Sequence, residues 1–176
     1  MIHLILGGAR SGKSRFAEQL VAGYAAIGYQ SVYIATATAL DDEMTQRITQ
    51  HQQDRLHSAH AWTLYEQPYH LAQILGELDK PKQAVLVDCL TLLLTNHMLL
   101  DDGASWDTQK TLLLNCLSTL ASDVVLVSNE VGSGIVPMGE LSRQFVDEAG
   151  WLNQAIAAIA DKVTLMVAGI PLVLKA

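Results

Sequence analysis

Cysteines, basic residues and long apolar runs are all scarce in this chain of 176 residues. The two cysteines, Cys89 and Cys116, show neither metal-ligand spacing nor a disulfide pattern, so we expect free thiols in the core of a protein from a reducing compartment. Eleven Lys and Arg residues against 18 Asp and Glu give a net charge of -7. This balance excludes a broad basic surface of the kind that binds nucleic acid.

No apolar run approaches the roughly 20 residues that a membrane-spanning helix requires, and the first residues do not have the pattern of a secretory leader. We therefore expect a soluble, cytoplasmic protein without a membrane span. The hydrophobic share of 50% is typical of a globular protein. The length suits one domain, residues 1–176, with a substantial buried core.

What the sequence does contain is a complete phosphate-binding loop. Residues 7–14 read GGARSGKS and match the pattern G-x-x-x-x-G-K-[ST]. The two pattern glycines let backbone N–H groups turn inward around phosphates, and the helix that follows favours anions at its N-terminus. Lys13 would supply a charge to the β- and γ-phosphates, and the Ser14 hydroxyl would ligate Mg²⁺. The alternative is a glycine-rich turn without a ligand. The expected phosphate-binding residues are Gly7, Gly8, Ala9, Arg10, Ser11, Gly12, Lys13 and Ser14.

Short apolar runs alternate with longer helical patterns along the chain, which predicts an α/β fold. The runs are nearly continuous, as expected for parallel strands that are covered on both faces. Together with the loop, they predict a P-loop NTPase-type, three-layer domain with a mainly parallel, doubly wound sheet (RecA-like). The predicted strands are 2–6, 31–36, 84–88, 124–128 and 163–168, and the predicted helices are about 15–24, 41–56, 68–79, 107–121 and 140–160.

Polar residues follow three of the predicted strands, at the edge of a parallel sheet where ligands bind. Thr36, Ala37 and Thr38 follow the second strand, Asp88 ends the third, and Glu130 follows the fourth. Asp88 is expected either to hold Mg²⁺ beside the phosphates or to cap the next helix. Glu130 either shares metal binding and activation of a hydroxyl with Asp88, or stabilises its own loop.

A histidine with two basic neighbours lies in the predicted helix at 41–56. Arg47, His51 and Arg55 are spaced by four residues, so they lie along one stripe of that helix. Two cations would lower the pKa of the imidazole and attract phosphate. This arrangement suits a histidine that attacks an α-phosphate and carries a nucleotidyl group. The alternative is an ordinary surface helix with charged residues.

Several further strings, taken with the phosphate-binding loop, resemble one family. They are YIAT at 33–36, the DEM, RI, His51 and Arg55 positions of the histidine helix, VSNEVG at 127–132, GIVP at 134–137, and smaller matches at 143–145, 147, 150, 153–154 and 169–171. From end to end the chain resembles the bifunctional adenosylcobinamide kinase / adenosylcobinamide-phosphate guanylyltransferase of cobalamin assembly. Many enzymes share the phosphate-binding loop, whereas the Asn-Glu-Val-Gly loop joined to the histidine helix is specific.

The resemblance implies two reactions at one nucleotide site. ATP or GTP phosphorylates the aminopropanol hydroxyl of adenosylcobinamide, and GTP then transfers GMP to that phosphate, which gives adenosylcobinamide-GDP and pyrophosphate. His51 matches the histidine that carries GMP, so His51 and Lys13 are the implied catalytic residues. The implied partners are GTP, ATP, Mg²⁺ and adenosylcobinamide or its phosphate, and the implied assembly is a homotrimer.

The same resemblance assigns further residues to the nucleotide. Thr36, Ala37 and Thr38 would lie beside it, and His51, Gln52, Gln53 and Asp54 would follow the guanylyl group. Glu66 and Asp88 match acidic positions that accept the N–H donors of guanine. For Asp88, recognition of the base therefore competes with the role in binding Mg²⁺.

The chain departs from the family pattern at positions that concern the corrinoid-facing surface more than the nucleotide chemistry. Leu56 replaces a proline, a short insertion precedes Trp62, Leu64 replaces a threonine, and Trp151 lies where the family carries an arginine. Trp62, Trp106 and Trp151 are expected in the core by default, with stacking on a corrinoid or a subunit contact as alternatives. Two other functions remain: a P-loop kinase for a small alcohol with a structural His51, and a nucleotide-dependent regulatory module.

Overall fold

A computed structural model describes residues 1–38, 46, 49, 61–99 and 105–176 of the chain. The strands are β1 (Ile2–Gly7), β2 (Gln30–Ala35), β3 (Thr63–Glu66), β4 (Gln83–Asp88), β5 (Asp123–Asn129), β6 (Lys162–Val167) and β7 (Ile170–Lys175). The helices within those ranges are α1 (Lys13–Ala26), α2 (Leu71–Leu78), α3 (Leu90–Leu99), α4 (Trp106–Leu117) and α5 (Glu140–Ile159).

The seven strands form one sheet in the order β3-β2-β4-β5-β1-β6-β7. Neighbouring strands pair in parallel from β3 to β6, and β7 pairs antiparallel with β6. This confirms the predicted α/β architecture with a mainly parallel sheet between two layers of helices. Because parallel strands end at the same edge, the residues that follow β1, β2, β4 and β5 meet there.

Each face of the sheet has its own apolar core, because the central strands bury apolar residues on both sides. On one face, α1 packs with Ala17 and Val21 against Ile5, Leu86 and Val125. On the other face, α3 and α5 pack against residues that alternate with these, namely Leu4, Val85 and Leu126, through Leu93 and Ile156. The continuous apolar runs in the sequence are therefore explained by burial on both faces.

All five predicted strands are confirmed, but three elements were not predicted. β3 is short, with three exposed residues out of four, and carries no apolar run. β7 does contain an apolar run, but Pro171 interrupts it and all six residues are exposed, as in an edge strand. α3 is apolar on nearly all sides, which removes the helical periodicity that pattern analysis uses. The predicted helix at 41–56 lies outside the described residues apart from two helical positions, Gln46 and Thr49.

Two expectations about side-chain burial need correction. Both cysteines are free, but only Cys89 is buried; Cys116 is half-buried, and its thiol donates to the Ala72 carbonyl oxygen at 3.3 Å. Trp106 packs against the core, whereas Trp151 is 56% exposed and so does not belong to it. In the described part of the chain, none of the helices has the length and apolar character needed to cross a membrane.

Asp79, the residue after α2, accepts hydrogen bonds from the segment that precedes β5. The Asp79 carboxylate accepts hydrogen bonds from the Ala121 and Ser122 amides, at 2.9 to 3.1 Å, and from the Ser122 hydroxyl at 2.7 Å. Partial burial raises the pKa of Asp79, but these donors outweigh it and hold the pKa below the ordinary value of 3.8. The ionised carboxylate thus stabilises the folded state.

We expect Asp79→Ala to lower the free energy of unfolding by about 1 kcal/mol near neutral pH, because a partly exposed acceptor of several hydrogen bonds is lost. A carboxyl group with a depressed folded pKa contributes its stability above the ordinary pKa and loses it as the pH falls through the folded pKa. The difference between wild type and variant should therefore shrink as the pH is lowered through 3.8. Urea unfolding across that range measures it, and a difference independent of pH would contradict the account.

Candidate active site

The phosphate-binding loop connects the end of β1 at Gly7 with the start of α1 at Lys13. Arg10 and Gly12 both adopt left-handed backbone conformations, with φ of 56° and 92°. The Phe16 amide donates to the Gly12 carbonyl oxygen at 3.0 Å and closes the first turn of the helix. The predicted strand, loop and helix are therefore in place, and the first N–H groups of α1 lie at the end of the loop.

There is no space for a side chain at the point where the loop leaves β1. A Cβ atom on Gly7 would lie 2.8 Å from the Met166 carbonyl oxygen and would also collide with the Ser11 hydroxyl. On the other side of the loop, a Cβ atom on Gly12 would come within 3.4 Å of the Gly169 Cα. The Gly169 amide donates to the Ser11 carbonyl oxygen at 3.0 Å. The turn between β6 and β7 thus supports the loop from behind.

The interior of the loop suits an anion. The Ser11 hydroxyl is buried and has no hydrogen-bond partner among the residues that the structure describes. The Lys13 ammonium folds back and donates to the Gly8 carbonyl oxygen at 3.1 Å. The first turn of α1 carries no acidic residue that would oppose an anion. A phosphate group in this loop would satisfy the buried hydroxyl and the amides of the helix N-terminus.

Asp88 lies at the end of β4, close to this loop. The Tyr33 hydroxyl donates to Asp88 Oδ2 at 3.1 Å, so the carboxylate is oriented from the neighbouring strand β2. Burial and the charge of Asp88 raise the pKa of the Cys89 thiol to about 12, and the charge of Lys13 acts in the opposite sense. Both charges therefore act at the same end of β4. The Cys89 thiol stays protonated, which excludes it as a nucleophile at neutral pH.

Thr36 connects the ends of β2 and β4. Its hydroxyl donates to the Cys89 carbonyl oxygen at 2.7 Å and accepts from the Cys89 amide at 2.8 Å. The side chain is fully buried, and the Thr36 carbonyl oxygen accepts from Asn96 at 2.8 Å. Thr36 thereby positions the residue that follows Asp88. The next two residues, Ala37 and Thr38, are half-buried, and the Thr38 hydroxyl has no partner within the described ranges.

The two remaining acidic candidates occupy different places. Glu130 lies beside the loop, because its amide donates to the Gly7 carbonyl oxygen at 3.1 Å. Its Oε1 accepts from the Gly132 amide at 2.8 Å, a contact that stabilises the loop after β5. Glu66 is exposed at the end of the edge strand β3, opposite Ala35 of β2. Four strand spacings, roughly 19 Å, separate β3 from β1.

The remaining site candidates cannot be placed in the same way. His51, Gln52, Gln53 and Asp54, with the flanking Arg47 and Arg55, lie outside the described residues. In the ranges that the structure does describe, no three His, Cys, Asp or Glu side chains form a metal site.

Sequence reasoning missed Tyr33 and the turn at Ala168 and Gly169. The register of β2 against β4 brings Tyr33 to Asp88, and a tyrosine in an apolar run carries no signal of such a contact. Ala168 and Gly169 both have positive φ, 51° and 80°, as in the two-residue turns that join antiparallel strands. The only sequence signal for this turn was Gly169, because glycine readily adopts a positive φ.

Comparison with known proteins gives a family and a fold. Residues 3–174 match the family described as cobinamide kinase / cobinamide phosphate guanyltransferase. The chain is 52% identical over 175 residues to the bifunctional adenosylcobalamin biosynthesis protein CobP of Pseudomonas aeruginosa, with 99% of this chain and 98% of the relative covered. It is 41% identical over 190 residues to the bifunctional adenosylcobalamin biosynthesis protein CobU of Escherichia coli, with 99% and 100% covered.

Among solved structures, the flagellar accessory protein FlaH from Methanocaldococcus jannaschii has a similar fold. The TM-score is 0.54 at 14% sequence identity, over 99% of this chain and 77% of that chain. At this level of identity the likeness shows the fold alone. It agrees with the P-loop architecture that the strand order displays.

We expect Gly7→Ala to weaken nucleotide binding at least about tenfold, because overpacking at a rigid site typically costs about 1–3 kcal/mol and the new methyl group collides with backbone of β6. Titration calorimetry with GTP measures the affinity, and circular dichroism verifies folding. Gly23→Ala is the matched control, since a Cβ there meets no atom within 4 Å. A folded Gly7→Ala protein with wild-type affinity would refute the close-approach argument.

Proposed function

Because the chain belongs to the cobinamide kinase / cobinamide phosphate guanyltransferase family, we propose that it phosphorylates adenosylcobinamide and then guanylylates the product in cobalamin biosynthesis. The observation that carries this proposal is the family match across residues 3–174, together with a phosphate-binding loop whose interior suits an anion. Both activities would reside in the one unit of residues 1–176. The alternatives, a simple P-loop kinase and a regulatory module, do not account for the match to a bifunctional family.

In the kinase step, the loop would hold the triphosphate of ATP or GTP. The helix amides and the Lys13 ammonium would stabilise charge on the transferred phosphoryl group. The aminopropanol oxygen attacks the γ-phosphorus, the bond to the nucleoside diphosphate breaks, and the hydroxyl proton leaves for a base. The buried Ser11 hydroxyl, which lacks a partner in the described structure, would bind the phosphates.

Mg²⁺ would be held by Ser14 and Asp88 together with phosphate oxygens, and when bound it neutralises phosphate charge. Ser14 lies in the first turn of α1, and Asp88 ends β4 at the edge of the parallel sheet from which the loop starts. This proximity to the loop favours the metal role for Asp88. Glu66, at the outer edge of the sheet, suits the guanine end of the nucleotide better, where a carboxylate accepts two N–H donors. Thr36, Ala37 and Thr38 lie between these two acids in strand order.

In the guanylyl transfer step, a ring nitrogen of His51 would attack the α-phosphorus of GTP. The bond from the α-phosphorus to pyrophosphate breaks, and the GMP group stays on the histidine through a P–N bond. An oxygen of cobinamide phosphate then attacks the same phosphorus, the P–N bond breaks, and the histidine is regenerated. Gln52, Gln53 and Asp54 would follow the guanylyl group. One triphosphate site would thereby serve transfer from the γ- and from the α-position.

The proposed assembly is a homotrimer, and the proposed compartment is the cytoplasm. Edge strand β7 has all six residues exposed, four of them large and apolar. Such an edge is unusual for a monomer and suits a contact with another subunit. Two free cysteines and the use of nucleoside triphosphates are typical of the cytoplasm.

Incubation with α-labelled GTP tests the covalent step. We expect an acid-labile, alkali-stable label on the wild type and none on His51→Ala, because the imidazole nitrogen is the proposed nucleophile. His60→Ala is a matched control that should retain the label. His51→Ala should keep kinase activity, whereas Lys13→Ala should lose both activities by at least about 100-fold, since each requires a positioned triphosphate. A wild-type protein that transfers phosphate to cobinamide but stays unlabelled would support the kinase alternative.

Light scattering after gel filtration tests the assembly. We expect three times the 19.1 kDa mass of one chain for the wild type and a smaller mass for Val173→Glu, because a charge would be buried in the proposed contact. Val173 is 62% exposed within the single chain. Leu112→Glu, on the exposed side of α4, is the control and should remain trimeric. A monomeric wild type would refute the proposal.

A further inference from the structure

A groove of about 580 Å³ lies between α5, the loop after β5, and the strands β6 and β7. It begins beside the phosphate-binding loop, because it is lined by Leu6, the residue before Gly7, and by Glu130. The Glu130 amide is hydrogen-bonded to the Gly7 carbonyl oxygen at 3.1 Å. The groove therefore gives a second ligand direct access to the phosphate-binding end of β1.

One polar side chain that lines the groove has only part of its hydrogen-bonding capacity satisfied. Asn153 is 7% exposed, and its Nδ2 donates to the Asn129 carbonyl oxygen at 3.4 Å. The amide oxygen of the same side chain, Asn153 Oδ1, is buried and has no hydrogen-bond donor within the described part of the chain. Buried amide oxygens are nearly always paired, because an unpaired one is destabilising. A ligand in the groove that carries an N–H or O–H donor would satisfy this oxygen.

The other lining groups narrow the chemistry of that ligand. The walls are apolar at Leu6, Ala157, Val163 and Leu174, so the ligand has aliphatic parts. At the end of the groove next to the phosphate-binding loop, the Glu130 carboxylate repels an anion but can accept a proton. The Gly132 amide donates to Glu130 Oε1 and so fixes the direction of this carboxylate. The combination fits a short aliphatic arm with an amide N–H in the middle and a hydroxyl at the end.

We propose that this groove binds the amide-linked aminopropanol arm of the corrinoid acceptor, an inference that rests on the proposed function. Asn153 Oδ1 accepts the amide N–H of the arm, and the terminal hydroxyl lies at Glu130. As the hydroxyl oxygen forms its bond to the γ-phosphorus, its proton passes to the Glu130 carboxylate and the nucleoside diphosphate departs. The ring stays outside, next to the apolar loop that continues through Ile135 and Met138, both 97% exposed.

Filling the groove tests the proposal. Gly150 lines it, and a Cβ on Gly150 meets no atom within 4 Å, so Gly150→Leu occupies the groove without crowding the core and with better helix propensity. We expect KM for adenosylcobinamide to rise at least about tenfold, while the Kd for GTP changes less than about twofold. Gly76→Leu, the same substitution at an open position of α2 outside the groove, is the matched control and should retain the wild-type KM within about threefold.

A second measurement addresses Asn153 without relying on one variant. An acceptor with an ester in place of the amide of the arm should raise the wild-type KM about tenfold, as expected for a lost hydrogen bond to a buried acceptor. In Asn153→Leu the ester and the amide should give equal KM values, because the acceptor oxygen is gone. The pair of substrates and variants forms a double-mutant cycle.

The outcomes separate the two proposals. An unchanged KM in a Gly150→Leu protein that binds GTP normally would overturn the assignment of the groove, even though the wild type converts cobinamide. An ester effect that persists in Asn153→Leu would overturn the role of Asn153 Oδ1. A wild-type protein that converts no cobinamide at all would instead refute the proposed function, and this inference with it.

Discussion

The close approach of backbone to backbone at Gly7 is the constraint on which the site depends. There is no room for a side chain between β1, the Ser11 hydroxyl and the Met166 carbonyl oxygen, and the Gly169 amide ties the loop to the turn that follows β6. The phosphate-binding loop is therefore supported by a strand that lies more than 150 residues later in the chain. A loop held in this way presents its amides to a phosphate without reorganising, which is the basis of electrostatic stabilisation in phosphoryl transfer.

Parallel strand ends bring the remaining groups to the loop. Thr36 bonds both backbone groups of Cys89 and so fixes the end of β4 against β2, while Tyr33 orients the Asp88 carboxylate. Thr36 and Tyr33 thus position the end of β4. Glu130 connects the loop to the groove under α5. The nucleotide and the acceptor would therefore approach the same edge of the sheet from different sides. This arrangement suits an enzyme that transfers both a phosphoryl and a guanylyl group.

The burial of each element decided whether the sequence predicted it. The strands β1, β2, β4, β5 and β6 were predicted because apolar residues fill both of their faces. The edge strand β3 lacks that signal, and the apolar run of β7 contains a proline, which disfavours a strand. Helix α3 lacks an amphipathic pattern because it is buried on most sides. For the site, the loop was predicted in full because its geometry demands particular residues at particular spacings. The histidine helix was predicted from resemblance and spacing, and its residues lie outside those that the structure describes.

The sequence by itself determined the phosphate-binding loop, the α/β class and the family, because each of these is written in local residue patterns or in likeness along the whole chain. Only the tertiary structure decided which partners surround those residues. It brought the Tyr33 hydroxyl to the Asp88 carboxylate, it placed Glu66 at the far edge of the sheet, and it left Asn153 Oδ1 without a donor among the described residues, in a side chain that lines a groove beside the loop. These relations join residues distant in sequence, and strand order and register, which no local pattern encodes, bring them together.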